Sequence, residues 1–494
     1  MGVRLRRQWR RLGERGGWLQ VLVIVVVVAV IAGAIGGVIA AAGGGGKEAA
    51  TGGGGGGKPS GTGGAVPAST DGVTSKSVTI VFPVIDLSAA GRAVGLQGLS
   101  DEKDPAGIRT YVKEINDAGG IHGRKINARI EKFNPLEPAD MRAKCKDWTT
   151  SGDVFAVVDT GKWYDQQQLC ITQEGHMPLI SEWTTVTDWI ERGKPYLWWT
   201  GPDQADIIRN LVPWGIEHGL LAPGKKFAVI AGDRAGDKLA VDKYLLPALS
   251  AKGLTPAVVD TITANIDDPS TARSQANSTV TKLKSEGVET VIPLLPINSF
   301  QAYLAAAESQ KYAPRLMLSD YELSVQNALG LAEFQYPDLL SGQIGPTVYT
   351  LGSEDDDRPN GLAGDGYIPT AKACWVTWHK DHKKPPYIEA QGPTMRWCES
   401  IHLFARALDL AGRNLNRRTF IDALGKIQNF DAPLTPVLSF SPDKHAGPVE
   451  YRTVRPVKNG NTAETNKCPP RRQGDFHGSC WQVVEDWKPL ETGT

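Results

Sequence analysis

Apolar and polar positions follow two different periods along the chain, and from Val78 onward these two periods alternate. Residues 104–118 carry apolar positions at a helical period, with a suitable N-cap at Asp104 and a glycine that can end a helix at Gly119. The next segment, KINARI, alternates apolar and polar residues as a half-buried strand does. The pattern therefore predicts a helix followed by a short turn and a strand, as in an α/β domain.

The alternation continues through two successive sets of strands and helices. The first set begins with VTIVFPVI and ends at PYLWWTG, and the second begins with KKFAVIAGD and ends at RLMLS. Such alternation predicts parallel sheets flanked by helices, and two sets predict two lobes. Open parallel sheets bind ligands beyond the carboxyl ends of their strands, so two facing lobes would form a cleft that closes by hinge motion.

A different pattern precedes the lobes. Residues 18–42 are uncharged and mostly apolar, which is long enough for a transmembrane helix, and the arginine-rich residues 1–17 favour a cytoplasmic N-terminus. A cleaved signal peptide is the alternative, although its apolar core is normally shorter. Residues 43–76 are rich in glycine and predict a flexible linker. We therefore expect a single-pass protein of the cell membrane whose folded part lies outside the cytoplasm.

Charge and cysteine content narrow the classes of function. Lys+Arg and Asp+Glu both total 54, so the chain lacks the basic excess typical of nucleic-acid binding. Six cysteines agree with a location outside the cytoplasm. Sequence alone permits other connectivities and some reduced thiols, but local pairing is preferred. The preferred pairs are Cys145 with Cys170, Cys374 with Cys398, and Cys468 with Cys480.

The segment KEINDAGGIHGRKI closely resembles one found early in the leucine/isoleucine/valine-binding proteins, the type I periplasmic solute-binding proteins of ABC importers. Three further segments are similar to the family in the same order. PYLWWTGPDQADIIRNL is similar to its crossover between lobes, KKFAVIAGDRAGDKLA to the opening of its second lobe, and LSFSPDKHAGPVEYRTVRPV to its closing strands. The resemblance covers about residues 78–494, and a cysteine pair like Cys145 and Cys170 is also a feature of such proteins.

The resemblance implies a two-lobed α/β fold in which each lobe is a parallel sheet flanked by helices. Residues 77–202 and 346–432 would form lobe 1, and residues 203–345 and 433–494 would form lobe 2, with an unfamiliar insertion around 351–395. A small solute, such as an amino acid or a related compound, would bind between the lobes. The closed protein would then dock on the permease subunits of an ABC importer.

The resemblance also implies that ligand-binding residues lie on loops after particular strands. The candidates in lobe 1 are Trp163, Tyr164, Ser181, Glu182, Trp183, Thr184 and Thr185, and those in lobe 2 are Asp233, Arg234, Asn298, Asp320 and Tyr321. Hydroxyl groups would hold a carboxylate, and an acidic side chain would hold an ammonium group.

Two features of these loops bear on the class of solute. Amino-acid binders of this type often carry an aromatic residue where this chain has Ala235, whereas Trp163, Tyr164 and Trp183 crowd the lobe 1 side. An aromatic wall favours a flat, apolar or cationic solute. The alternative is that the tryptophans face the core, because Trp is usually largely buried, and that Arg234 is a solvated surface charge.

A ligand-sensing or scaffold ectodomain of the same fold, acting through a membrane partner, is the alternative function. An enzyme is not expected, because the chain has no HExxH, no G-x-S-x-G and no complete P-loop. His379 and His382 could bind a metal together with Asp381, but so lysine-rich a stretch favours a solvated helix face. We therefore expect neither a metal nor a cofactor.

Overall fold

The computed structural model describes residues 68–86, 88, 103–134, 137–160, 163, 166–182, 186–265, 268–321, 336–350, 369–382, 395–458 and 479–493. The predicted cytoplasmic tail, the apolar segment 18–42 and most of the linker lie outside these residues, as do Cys468 and most of the insertion around 351–395. Among the described helices, none combines the length and the apolar character needed to span a membrane.

The first lobe is built on a five-stranded parallel sheet with the order β2-β1-β3-β4-β5. Its strands are β1 Ser77–Ile85, β2 Lys125–Phe133, β3 Ala156–Val158, β4 Leu179–Ser181 and β5 Leu197–Trp199. The helices between them are α1 Lys103–Asp117, α2 Pro138–Thr150, α3 Gln166–Leu169 with its π-helical continuation Cys170–Glu174, and α4 Thr187–Gly193. The sequence-predicted alternation of strands and helices is confirmed.

The second lobe repeats the plan with a four-stranded parallel sheet of order β7-β6-β8-β9. Its strands are β6 Phe227–Ala231, β7 Val258–Thr261, β8 Thr290–Leu294 and β9 Arg315–Leu316, reached through α5 Gln204–Glu217. Its helices are α6 Ala235–Leu239, the π-helical segment Ala240–Leu245, α7 Leu246–Ser250, α8 Pro269–Glu286 and α9 Ile297–Ser309.

The later part of the chain adds elements to both lobes. They are α10 Pro337–Leu340, β10 Gly345–Thr347, α11 Pro369–Asp381, α12 Trp397–Ala411, α13 Arg417–Leu424, β11 Phe430–Asp431, β12 Val437–Leu438, β13 Glu450–Lys458 and β14 Ser479–Pro489. Strands β10, β13 and β14 form an antiparallel sheet, and a bridge between Met317 and Ile344 places this sheet beside β9.

The turn after α1 shows why this part of the sequence needs glycine. Gly119 and Gly120 both have a positive φ, of 102° and 74°. A Cβ on Gly120 would overlap the backbone carbonyl of Arg124, so only glycine fits. Asp104 lies inside the first turn of α1, and its carboxylate accepts a 2.8 Å hydrogen bond from Trp397 Nε1. The predicted N-cap role of Asp104 is therefore wrong.

Strand β1 is buried on both of its faces, as expected for a strand in a parallel sheet. Ile80 and Phe82 pack toward α1, in the same apolar cluster as Tyr111. Val81 belongs to the cluster on the other face, which contains Trp148. These two layers hold the sheet between helices and fix the directions in which its strand ends point.

The N-terminal boundary of the first lobe lies earlier than the predicted linker end at residue 76. Val73 bridges Val78, and the backbone N–H of Arg417 donates a 2.9 Å hydrogen bond to the carbonyl of Ser69. The buried Arg417 guanidinium also lies 3.5 Å from the carboxylate of Asp71. Residues 69–76 therefore pack on the first lobe.

The third crossover between the lobes lies near residues 447–450, and not near residue 433 as the resemblance implied. Ala446 bridges Trp199 of β5, and the ring of His445 stacks on Trp198 at a centroid distance of 3.7 Å. Residues up to 447 therefore still lie against the first lobe, and β13 enters the second lobe from Glu450.

Two of the three predicted disulfides are confirmed. Cys145 bonds Cys170 between α2 and the end of α3, and Cys374 bonds Cys398 between α11 and α12. The third predicted pair includes Cys468, which lies outside the described residues, so that pairing stays a prediction.

Candidate ligand-binding cleft

The two lobes touch near the carboxyl ends of their sheets. Val186 precedes α4 of the first lobe and lies against Gly236 in α6 of the second, where a Cβ placed on Gly236 would come within 2.7 Å of Val186 Cγ2. Lys243 Nζ lies 2.6 Å from the carboxylate of Asp188, and the Tyr244 hydroxyl donates to that carboxylate at 2.9 Å. The structure therefore shows the lobes closed against each other.

The described candidates after β3 and β4 contact their own lobe. Trp163 is fully buried, and its ring packs against Phe133 and Trp148 with centroid distances of 5.0 and 4.7 Å. Asp159 accepts hydrogen bonds from the Trp163 backbone N–H at 3.0 Å and from the Ser181 hydroxyl at 2.8 Å. Trp163 therefore faces the core of the first lobe, as the alternative interpretation of the tryptophans predicted. Asp159 orients the Ser181 hydroxyl.

Four candidates of the first lobe, Tyr164, Trp183, Thr184 and Thr185, lie outside the described residues. Their role in binding stays a prediction. The residues on either side of the 183–185 stretch, Glu182 and Val186, lie at the cleft, since one follows β4 directly and the other contacts the second lobe.

Two candidates of the second lobe hold the loop that follows β7. Asp233 is exposed, and its carboxylate accepts a 2.9 Å hydrogen bond from the backbone N–H of Ala264. Asn298 Nδ2 donates to the carbonyl of Ala264 at 3.0 Å. The Oδ1 atom of Asn298 is buried and has no hydrogen-bond partner among the described residues. The role of Asp233 and Asn298 in ligand binding stays a prediction.

Arg234 and Tyr321 both bind a carboxylate that no sequence motif pointed to, that of Asp237 in α6. Arg234 donates to it from Nε at 2.8 Å and from Nη2 at 2.9 Å, and the Tyr321 hydroxyl donates at 2.6 Å. Gln204 Nε2 in turn donates to the Tyr321 oxygen at 3.2 Å. Arg234 is therefore a mostly buried partner of Asp237 and not a solvated surface charge.

Asp320 holds residues 347–348, close to the boundary near residue 345 where the chain passes from the second lobe back to the first. Its buried carboxylate accepts hydrogen bonds from the Thr347 hydroxyl and from the Val348 backbone N–H, both at 2.7 Å. The residue following Val348 is Tyr349, which is 4% exposed. Asp320 therefore connects the loop after β9 to the chain that returns to the first lobe.

Glu182 and Glu399 are two buried carboxyl groups of the first lobe, one following β4 and the other on a helix that packs beside β4. Glu182 follows β4, is 1% exposed, and accepts a 2.9 Å hydrogen bond from Arg396 Nη1. Glu399 lies in the first turn of α12 and is also 1% exposed. We call Glu182, Arg396, Glu399 and Tyr349 the acid cluster. No sequence motif pointed to the last three.

Only one oxygen of Glu399 has a protein partner of good geometry. Its Oε2 accepts from the backbone N–H groups of Leu434 at 3.1 Å and Thr435 at 3.2 Å. Its Oε1 is buried and has no hydrogen-bond partner within the described part of the chain. Burial, together with the negative charge of Glu182, raises the pKa of Glu399 to about 8. The Thr200 hydroxyl lies near the Glu399 carboxyl group and partly offsets the rise in its pKa, although the two groups do not meet the geometry of a hydrogen bond.

Several other hydroxyl groups in this region are also buried without a hydrogen-bond partner among the described residues: those of Tyr349, Ser400 and Thr435. Buried polar atoms are nearly always paired, so such a group of exceptions needs an explanation. Burial, and then the charges of Glu182 and Asp320, raise the pKa of Tyr349. Tyr349 directly follows Val348, whose backbone N–H donates to Asp320 of the second lobe, so it lies where the chain passes from the second lobe back to the first.

A sequence profile described as periplasmic binding protein matches residues 91–461. The chain belongs to this family. The resemblance in the opening helix and in the crossover segments is thereby confirmed, and so is the two-lobed α/β fold. Proteins of this periplasmic binding family are in general solute carriers and not enzymes. A comparison with curated protein sequences finds no match.

Solved structures of similar fold are transport proteins. The fatty acid ABC transporter substrate-binding protein from Thermomonospora curvata is 19% identical, with a TM-score of 0.60 over 85% of this chain and 94% of that chain. A solute-binding protein from Rhodopseudomonas palustris BisB5, in complex with 3,4-dihydroxybenzoic acid, is 12% identical, with a TM-score of 0.59 and coverages of 85% and 99%. A leucine complex from Desulfitobacterium hafniense is 14% identical, with a TM-score of 0.54 and coverages of 77% and 97%. At these identities the likeness shows the fold of this periplasmic binding protein.

Proposed function

We propose that this protein captures a small solute between its lobes outside the cytoplasm and delivers it to the permease of an ABC importer. The observation that carries the proposal is the set of buried polar atoms in both lobes that have no partner among the described residues. Asn298 Oδ1 belongs to the second lobe, Glu399 Oε1 to the first, and the Tyr349 hydroxyl to the segment that passes between them. A solute that bridged these atoms would supply the hydrogen bonds that the described residues do not.

The contacts between the lobes explain how capture would be coupled to closure. In the closed arrangement, Val186 meets Gly236 and Asp188 meets Lys243. A solute that contacts both lobes binds the closed form more tightly than the open form and shifts the population toward it. The permease would then recognise the closed form. Tyr164, Trp183, Thr184 and Thr185 would complete the first-lobe wall of the site.

The N-terminal segments fit a tethered carrier. The apolar residues 18–42 would anchor the protein in the cell membrane, with residues 1–17 in the cytoplasm, and the glycine-rich residues would let the lobes turn toward the permease. The two disulfides, Cys145–Cys170 and Cys374–Cys398, suit an oxidising environment outside the cytoplasm.

A thermal-unfolding screen of the full-length protein in mild detergent tests the proposal. The panel consists of amino acids, aromatic acids, fatty acids, amides and polyamines. A solute at about 100 times its dissociation constant stabilises the folded state by about 2.7 kcal/mol, which is a visible shift. Small-angle X-ray scattering with and without a hit would show the lobes closing. Absence of any stabilising solute for folded protein would contradict solute capture and favour a sensor or scaffold that acts through a membrane partner.

A further inference from the structure

The disulfide between Cys374 and Cys398 has a histidine and a carboxylate beside it. Cys398 and His402 are one turn apart on α12, and His402 Nδ1 lies 3.2 Å from Cys398 Sγ. The other ring nitrogen, Nε2, lies 3.1 Å from the carboxylate of Glu114 on α1. The Thr377 hydroxyl of α11 donates to the second oxygen of Glu114 at 2.6 Å. A sulfur, an imidazole and a carboxylate therefore follow one another from α12 to α1.

Glu114 determines how His402 carries its protons. Burial disfavours the ionised form of Glu114, but the hydrogen bonds from His402 and Thr377 outweigh it and lower the pKa. An ionised carboxylate only accepts hydrogen bonds, so His402 donates from Nε2. In a neutral ring Nδ1 is then an acceptor that faces Cys398, and in a protonated ring it is a donor. The side chains of His402 and Glu114 are 35% and 34% exposed, so protons can reach them from solvent.

These groups stabilise the reduced form of the bond more than the oxidised form. A thiolate on Cys398 would accept a charge-assisted hydrogen bond from the imidazolium of His402, whereas an uncharged disulfide sulfur is only a weak acceptor. Burial alone disfavours a thiolate, so a cation beside the sulfur decides whether the thiolate forms. A dithiol whose thiolate is stabilised in this way makes the corresponding disulfide more oxidising.

The other described disulfide has different surroundings. Cys145 and Cys170 lie in an apolar cluster that includes Met141, Trp148 and Ile171. Among the described residues, no histidine, lysine or arginine side chain hydrogen-bonds to either sulfur, and apolar surroundings disfavour a thiolate. The two disulfides have sequence separations of 25 and 24. They therefore differ in the groups around their sulfurs and hardly in the loops that they close.

Contacts other than the disulfide hold α11 in place. The Tyr111 hydroxyl donates to the carbonyl of Cys374 at 3.2 Å, and His382 Nε2 lies 2.9 Å from the Thr110 hydroxyl. These contacts join α11 to α1, and α12 packs on α1 as well. The two sulfurs would therefore stay close when the bond between them opens, so that the bond can form again.

We propose that Cys374–Cys398 is a redox-active disulfide that exchanges with an external dithiol, with His402 as the group that takes up and returns the proton. One thiolate of the dithiol attacks Cys374 Sγ, the sulfur–sulfur bond breaks, and its electron pair leaves with Cys398. The second sulfur of the dithiol then displaces Cys374, so the dithiol becomes a disulfide and the protein is reduced by two electrons. Of the two protons that the dithiol gives up, one ends on Cys374 and the other on Nδ1 of His402. Both cysteines are buried, so His402 sets the equilibrium of the exchange and not its rate.

A redox titration of the full-length protein in mild detergent tests the proposal. The protein is equilibrated with mixtures of reduced and oxidised dithiothreitol, starting from either form. Free thiols are then alkylated in denaturant, and each cysteine peptide is quantified by mass spectrometry. We expect Cys374–Cys398 to be reduced at a dithiol ratio at least about tenfold lower than Cys145–Cys170, which is about 30 mV in reduction potential.

Two histidines that contact α1 separate the proton role from a structural one. His402→Gln removes the imidazole beside the sulfur, and we expect it to lower the equilibrium constant for reduction of Cys374–Cys398 about tenfold. His382→Gln removes the contact with Thr110 but none with a sulfur, so it is the matched control and should leave the equilibrium unchanged. Glu114→Gln should act in the same direction as His402→Gln, and it is the second variant if His402→Gln fails to fold.

The thiolate itself can be followed in Cys374→Ser, where Cys398 is a free thiol beside His402. The charged groups facing His402 are Glu114 and, through its effect on Glu114, Lys380. Burial and the charge of Glu114 raise the pKa of Tyr111, whose ring meets that of His402, so this hydroxyl stays neutral. We expect the far-ultraviolet absorbance of the Cys398 thiolate to appear at a lower pH than in Cys374→Ser/His402→Gln.

The results either support the redox-active disulfide or overturn it. Preferential reduction that His402→Gln abolishes, together with a thiolate that forms at lower pH beside His402, would support it. Absence of preferential reduction, or a preference that survives in both His402→Gln and Glu114→Gln, would overturn it. An equal loss in His382→Gln would also overturn it, because the effect would then come from a loosened α11.

Discussion

Lys243 Nζ lies 2.6 Å from Oδ1 of Asp188, and this ion pair joins the second lobe to the first. Tyr244 donates a second hydrogen bond to the same oxygen at 2.9 Å. Burial disfavours the ionised form of Asp188, but the hydrogen bonds from Lys243 and Tyr244 outweigh it and lower the pKa of the carboxyl. The ionised pair is therefore the stable form at neutral pH, and it joins the lobes in the closed arrangement seen here.

Asp188→Asn should shift the lobes toward the open form. The two partners are partly exposed, so the pair contributes about 0.2–1 kcal/mol to closure, and the affinity for a bound solute should fall by up to about fivefold. Scattering of the ligand-free protein should give a larger radius of gyration. Glu174→Gln, which breaks an exposed ion pair with Arg142 inside the first lobe, is the control and should change neither quantity. Unaltered affinity in Asp188→Asn would show that the pair does not support closure.

Gly236→Ala should impair closure without destabilising the second lobe. Gly236 lies in α6 with no positive φ, and alanine is the better helix former by up to about 1 kcal/mol. In the closed form its new methyl group would come within 2.7 Å of Val186 Cγ2, which is closer than carbon atoms approach. We expect weaker solute binding at unchanged or slightly higher thermal stability.

The partner residue provides the control for this clash. Val186→Ala removes the methyl groups that Gly236→Ala would meet, so the double variant should recover most of the lost affinity. Such recovery is non-additive behaviour between residues in contact. If the double variant binds as poorly as Gly236→Ala alone, the closed contact between these residues is not the cause.

Removing the disulfide between Cys145 and Cys170 should destabilise the first lobe. The bond closes a loop with a sequence separation of 25, and chain entropy predicts a loss of about 3 kcal/mol on its removal. Urea unfolding of Cys145→Ser/Cys170→Ser against the parent protein measures this loss. The separation for Cys374 and Cys398 is 24, so the equivalent double variant should lose a similar amount. A loss near zero in either case would mean that chain entropy is not what that bond contributes.

The sequence predicts the elements well because their signals are local. The period of residues 104–118 and the alternation in KINARI both correspond to the observed α1 and β2. The pairing of Cys145 with Cys170 also follows from a short separation along the chain. The third crossover could not be placed in this way, because the stacking of His445 on Trp198 joins residues that lie far apart in sequence.

The site is less predictable than the fold, for a physical reason. Loop positions after strands can be found from the order of elements, but not the direction in which each side chain points. Trp163 faces the core, and Arg234 is held by Asp237. Glu399 was missed because it follows an unfamiliar insertion and reaches Glu182 only through the packing of α12 beside β4.

The raised pKa of Glu399 makes folding stability depend on pH in a direction that can be checked. Its folded-state pKa of about 8 lies above the ordinary value of 4.5, so the folded state binds more protons than the unfolded state between these values. The stability that neutral Glu399 provides is fully present below about pH 4.5. It is lost at about 1.4 kcal/mol per pH unit until about pH 8.

Glu399→Gln should remove this slope, because glutamine stays neutral in both states. Other buried groups also titrate, among them Lys444, whose pKa burial lowers to about 8, so the quantity to measure is the difference between the two proteins. Urea unfolding at several values between about pH 5 and pH 8 should show the variant gaining stability relative to the parent as the pH rises. Above pH 8 the two curves should run parallel. Parallel curves across the whole range would mean that Glu399 is already ionised in the folded protein, and that Arg396 serves both carboxylates.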